Sequence, residues 1–199
     1  MITIFEVPLI HQFIDIGIRY DQSNLPRAKQ DKILSEYLER VEQWYKALTN
    51  DCYDKVFIDM VGADVSPNII YQALHSMYQA GSVAASKILN LYEMGAELVP
   101  TENPSAMSLF NQAMKTGNRD LIAKAMACRD IGIRINMIAN LRNEDIAVFY
   151  IGNQHKATEG LDSTKYNVMK PPFAQEYFDA WQAIENKFPL EQDSALYLN

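Results

Sequence analysis

Two histidines, two acids and an arginine are placed in this chain where a layered fold would gather them. The apolar run Ala147-Val148-Phe149-Tyr150-Ile151 has the composition of a buried strand, and Gly152-Asn153-Gln154-His155 follows it without a break. Ligands collect beyond the carboxyl ends of the strands of an open sheet, so a histidine directly after such a strand stands where chemistry happens. Three more strand-like runs deliver polar groups in the same way. His11 follows Val7-Pro8-Leu9-Ile10, Asp59 lies between Ile58 and Met60, and Glu102 comes after Leu98-Val99-Pro100-Thr101. Imidazole nitrogen and carboxylate oxygen are the donors of a zinc- or manganese-like site, so His11, Asp59 and His155 form a candidate ligand set for a divalent Mn, Co or Zn ion. The same groups suit general acid/base catalysis. Asp59 carries the argument furthest, because a carboxylate inside an apolar strand is costly to desolvate unless it is paired or ligating. Glu102, which precedes Asn103-Pro104, equally suits the cap of a following helix. His155 taken alone equally suits an exposed loop.

The elements that must position these groups alternate along the chain. Residues 2–10 are β-rich and apolar, and a helix is expected from about Ala28 to Leu48, where Ile33, Leu34, Tyr37, Leu38, Val41, Trp44, Tyr45 and Leu48 recur at three and four. A short buried strand follows over 55–61. Ser66-Pro67 opens a helix that should run to about Met94, with Gly95 just past its end. A strand near 96–101, helices over 105–115 and 119–141, and a strand over 146–151 come next. The chain then turns irregular through Pro171-Pro172 and closes with a helix from Ala174 to about Lys187. This order predicts a single α/β domain over residues 1–199, with three layers, a mixed, largely parallel central sheet and helices on both faces. Residues 162–199 form its C-terminal irregular segment plus helix.

The helix over 119–141 carries a second concentration of polar groups. Arg129, Asn136 and Asn140 lie near one face at spacings of seven and four, beside Ile133 and Met137. An arginine there suits clamping a carboxylate or a developing oxyanion, and it equally suits a structural ion pair with Asp130 or another acid. By angle, Arg129 and not Arg134 is expected to face the sheet edge.

With these residues in place the chain resembles the TraB/Tiki, ChaN and erythromycin-esterase superfamily. Gly152-Asn153-Gln154-His155 is similar to the second Gly-x-x-His motif of the TraB/Tiki branch. Arg129-Asp130 with Asn136-Met137-Ile138-Ala139-Asn140 resembles the Arg-Asp-x2-Met-Ala-x-Asn helix of the esterase branch, with altered spacing. The resemblance spans roughly Ile4 to Leu161. It implies an α/β domain whose relatives include metal-dependent peptidases, esterases acting on a macrolide ring and a haem-associated lipoprotein. The chain departs from the pattern in having Pro8 where the first motif has glycine and Asp59 where the second strand usually ends in glutamate. No arginine stands within Val61-Gly62-Ala63-Asp64.

Composition removes several classes of function. The 199 residues carry a formal charge of -7 with no concentrated Lys/Arg patch, so a nucleic acid is not an expected partner. No apolar run approaches the ~20 residues that span a bilayer. Cys52 and Cys128 lack the spacing of a zinc site or redox pair and read as small hydrophobes. A cytoplasmic location is the default, with export by a signal-less secretion route as the alternative. Two functions follow. The first is a metal-assisted hydrolase, peptidase- or esterase-like, acting on a small-molecule or peptide substrate: His11, Asp59 and His155 would hold or activate a water, and Arg129 would steady the developing charge. The second is a non-catalytic, effector-like binding or interaction protein on the same scaffold. Its partner would dock on Tyr177, Phe178 and Trp181 of the last helix, aromatics that equally suit packing onto the core.

Overall fold

Strands form in this chain where β-branched and aromatic residues alternate in direction, and helices form where apolar residues recur at three and four. The computed structural model describes residues 1–9 and 25–187. His11 lies outside the described residues. Five strands, β1 (Ile2–Leu9), β2 (Lys55–Gly62), β3 (Glu97–Glu102), β4 (Ile146–Gly152) and β5 (Tyr166–Met169), form one sheet in the order β3-β2-β4-β1-β5. All four pairings are parallel. The described sheet is therefore wholly parallel, and every strand delivers its carboxyl end to one edge.

Helices cover both faces, giving a three-layer α/β domain. Strand residues Phe5, Val7, Leu9, Val56, Ile58, Leu98, Val148 and Tyr150 point to one side. There they meet α1 (Leu25–Thr49), α2 (Pro67–Gln79), α3 (Val83–Glu93) and α6 (Ala174–Lys187). The other side presents Ile2, Ile4, Phe57, Val99, Ala147, Phe149 and Ile151 to Ile133 and Met137 of α5 (Arg119–Asn140). Beside α5 runs α4 (Pro104–Thr116). The parity of each strand sets this division, since successive side chains point to opposite faces.

Two elements depart from the sequence expectation. The long helix proposed from Ser66 to Met94 is two helices, broken at Gly81, whose φ of +99° suits glycine and interrupts a right-handed helix. Ser82 then caps the second helix by accepting the Ala85 N–H at 3.1 Å. The second departure is β5, four half-buried residues added to the edge beside β1 in the segment expected to be irregular.

Candidate functional site at the carboxyl edge of the sheet

On the α5 side the sheet is apolar over its amino half and polar toward its carboxyl end. Ile2 and Ile4 give way to Glu6 along β1, Phe57 to Asp59 along β2, and Val99 to Thr101 along β3, and Glu6, Asp59 and Thr101 are all buried. Buried polar groups need partners, and each has them. Glu6 takes the Lys170 ammonium on one oxygen at 2.8 Å and the Thr158 hydroxyl on the other. Asp59 accepts the Gly152 N–H at 2.7 Å, fixing the turn that leaves β4. The Thr101 hydroxyl donates to the Ile58 carbonyl at 2.9 Å, and Asn136 of α5 donates to the Thr101 carbonyl at 2.8 Å.

Beyond the ends of β1 and β4 this edge opens into a cleft of about 600 Å³, lined among others by Glu6, Pro8, Gly152, His155, Lys170 and Phe178. His155 is held firmly in its wall. Its Nδ1 lies 2.6 Å from Oδ1 of Asp130, and the other oxygen of Asp130 accepts the Lys156 N–H at 3.1 Å. One turn further along α5, Arg134 donates to the carbonyls of Ala157 at 2.7 Å and Lys156 at 3.2 Å. Helix α5 thus grips residues 155–157 from two successive turns, by side chains spaced i, i+4. A carboxylate only accepts, so Nδ1 donates in the Asp130 bond, and it is the neutral imidazole in this orientation that offers the Nε2 lone pair to the cleft.

The expected site residues do not all meet here. Asp59 is linked to His155 through Gly152, whose N–H it accepts at 2.7 Å and whose carbonyl accepts the His155 N–H at 3.0 Å; Asp59 does not line the cleft. Arg129 points elsewhere. Its guanidinium makes a two-pronged pair with the carboxylate of Glu102, lies 4.7 Å from the Phe110 ring centre, and is buried. Of the two arginines, Arg134 is the one that grips the loop carrying His155. Glu102, considered as a helix cap, is instead the partner of Arg129, and Asn103 caps α4 by accepting the Ser105 and Ala106 N–H groups. Glu102 also lines a second cleft of about 490 Å³ with Gly62, Asp64 and Lys115. The aromatics of α6 face inward. Tyr177 and Phe178 stack on Tyr37 of α1, with ring centres 5.5 Å away in each case, and Trp181 shares a small apolar gap with them.

For a divalent metal, His155 has the carboxylate-anchored imidazole that metal ligands take. Asp59 has one oxygen engaged by a backbone N–H. Among the described residues no group of three or more His, Cys, Asp or Glu could hold an ion. The ligand set expected from the sequence has His11 as its third member. The residues missed in the sequence are Glu6, Asp130 as the partner of His155, and Lys170. Glu6 carried a readable signal, the same buried-carboxylate argument that singled out Asp59. Asp130 and Lys170 gave none, because their partners are distant in sequence.

Comparison with family models, with curated proteins and with solved structures finds no match to this chain.

Proposed function

We propose that this chain is a hydrolase of esters or amides whose general base is His155, oriented by Asp130. The observation that supports the reading is the Asp130–His155 pair in the wall of the cleft. An imidazole whose Nδ1 proton is bound by a carboxylate keeps Nε2 as the basic nitrogen. In the reaction, Nε2 takes a proton from a water in the cleft while the water oxygen attacks the substrate carbonyl. The proton then passes from the imidazolium to the departing alkoxide or amine, and Asp130 stabilises the imidazolium in between. Lys170, half exposed and steadied by Glu6 at 2.8 Å, is the nearby cation for the developing oxyanion. Arg129 serves the scaffold in this reading, since it is committed to Glu102. A divalent ion held through His155 and His11 would take Nε2 as its ligand, and would then supply Lewis-acid activation of a water in place of the general base, not beside it.

A panel of chromogenic esters and fluorogenic peptides, assayed with and without added Mn²⁺, Co²⁺ or Zn²⁺, tests the proposal. Turnover should vanish in His155→Ala. It should fall about 10²–10⁴-fold in Asp130→Asn, which keeps the acceptor for the Lys156 N–H but presents a donor to Nδ1. Equal turnover by wild type and His155→Ala would sink the reading. Absence of turnover across the panel by the folded wild type would favour the binding-module alternative, for which the cleft offers the side-chain amides of Asn153, Gln154, Gln175 and Gln182. Elemental analysis of the same two proteins reports whether an ion accompanies His155.

A further inference from the structure

Helix α5 carries two apolar stripes, one buried against the sheet and the other exposed. Ala125, Ile133 and Met137, with Arg129, face inward and are buried. On the opposite side Leu121, Ile131, Ile135 and Ile138 are 45%, 53%, 61% and 40% exposed, and Cys128 and Lys124 between them are exposed too. Isolated exposed leucines need no explanation, but four large aliphatic side chains on one helix face, three of them β-branched, form a patch. Their positions fall at 121, 124, 128, 131, 135 and 138, alternating steps of three and four. That spacing puts them on one continuous stripe along the helix, as the seam between two packed helices requires.

We propose that this face is a homodimer interface, in which α5 packs antiparallel against α5 of a second copy. A patch repeated on two identical chains is self-complementary about a two-fold axis. Lys124 selects the direction. In a parallel, in-register seam it would lie against Lys124 of the second copy, two like charges in contact. With the axis between Arg129 and Asp130, Leu121 meets Ile138, Lys124 meets Ile135 and Cys128 meets Ile131 of the second copy. The two lysines are then about 16 Å apart at 1.5 Å per residue, beyond the screening length of ~8–10 Å. The lysine stem can lie along the isoleucine while its ammonium reaches water. Roughly half of four aliphatic side chains gives on the order of 400 Å² of apolar surface per copy, in the range of patches that mark interaction sites. Two such patches with their polar rims approach the ~1,200 Å² at which specific interfaces begin.

Sedimentation equilibrium between 1 and 100 µM, as order-of-magnitude loadings around ordinary dimer affinities, tests this. The wild type should dimerise, and Ile135→Lys should weaken association at least tenfold; below the dissociation constant, where both proteins are monomers and the side chain is exposed, their thermal midpoints should agree. Ile131→Lys should do the same. A wild type that stays monomeric at the top concentration, or a dimer that survives in both variants, overturns the proposal. Orientation is read by spin labels on Ala139→Cys in a Cys52→Ser, Cys128→Ser background. The antiparallel seam places the two labelled backbones about 28 Å apart along the axis, whereas a parallel seam places them side by side, which would refute the arrangement.

Discussion

A buried arginine is tolerable only while its partner stays charged, and Arg129 has one principal partner, Glu102. Removing the charge on one side leaves an ion in a low-dielectric interior, which costs about 3–5 kcal/mol. Glu102→Gln should therefore lower the thermal midpoint by roughly 10 °C, measured by circular dichroism. Arg129→Lys keeps the charge but loses the planar fork that meets both oxygens of Glu102. It should lower the midpoint by several degrees and leave the turnover of the folded protein unchanged, since Arg129 does not line the cleft that holds His155. Lost turnover in a fully folded Arg129→Lys would return this residue to the catalytic machinery. At the level of single residues, the sequence was enough to place His155 just past a strand end and Asp59 as a buried carboxylate within one. It could not identify their partners. Asp130 was visible as the neighbour of Arg129, yet its bond to His155 depends on α5 crossing above the end of β4, a tertiary fact with no local signature.

Between elements, the ion pairs that tie helices together bear on how stability depends on pH. Glu42 of α1 binds Lys87 of α3 at 2.5 Å and Lys46 of its own helix at 2.9 Å. Burial alone would raise its carboxyl, but the two ammonium groups outweigh burial and hold it below the usual carboxylate range. A carboxylate with a lower pKa folded than unfolded stabilises the fold above the unfolded value, near 4.3 for glutamate, and that stabilisation disappears as the pH falls through the folded value. The thermal midpoint of Glu42→Gln should thus lie about 3 °C below wild type at pH 7, and the gap should narrow as the pH falls below the unfolded value of about 4.3. A gap that stayed constant over this range would remove the ion pair as its cause. Helix positions were legible wherever apolar periodicity and caps agreed, as at Asn118, whose side chain accepts the Asp120 and Leu121 N–H groups. The break at Gly81 was missed because the periodicity of α2 continues in α3 across Ala80, Gly81 and Ser82. β5 was missed because a four-residue edge strand has too few side chains to show alternation.

For the molecule as a whole, the alternation of strand and helix was enough to give the three layers, because a crossover between parallel strands needs a covering helix. The strand order was not legible, since it is fixed by pairings between segments far apart in the chain. Those pairings separate the sheet into an early part and a late part. Among the described strands only β2 and β3 are neighbours both in sequence and in space, whereas β1 lies between β4 and β5, with Thr3 beside Ile146 and Ile2 beside Tyr166. The apolar β1 therefore has to wait for the far end of the domain before it acquires either neighbour. Long-range parallel pairing of this kind makes folding slow and leaves an unpaired hydrophobic strand exposed meanwhile. Refolding from denaturant should show a β2–β3 unit with α3 protected from hydrogen exchange well before β1, and β1 and β4 gaining protection together. The strand that supplies Glu6 and Pro8 to the cleft is consequently among the last to be placed, so no partly folded form of this chain can present the assembled site.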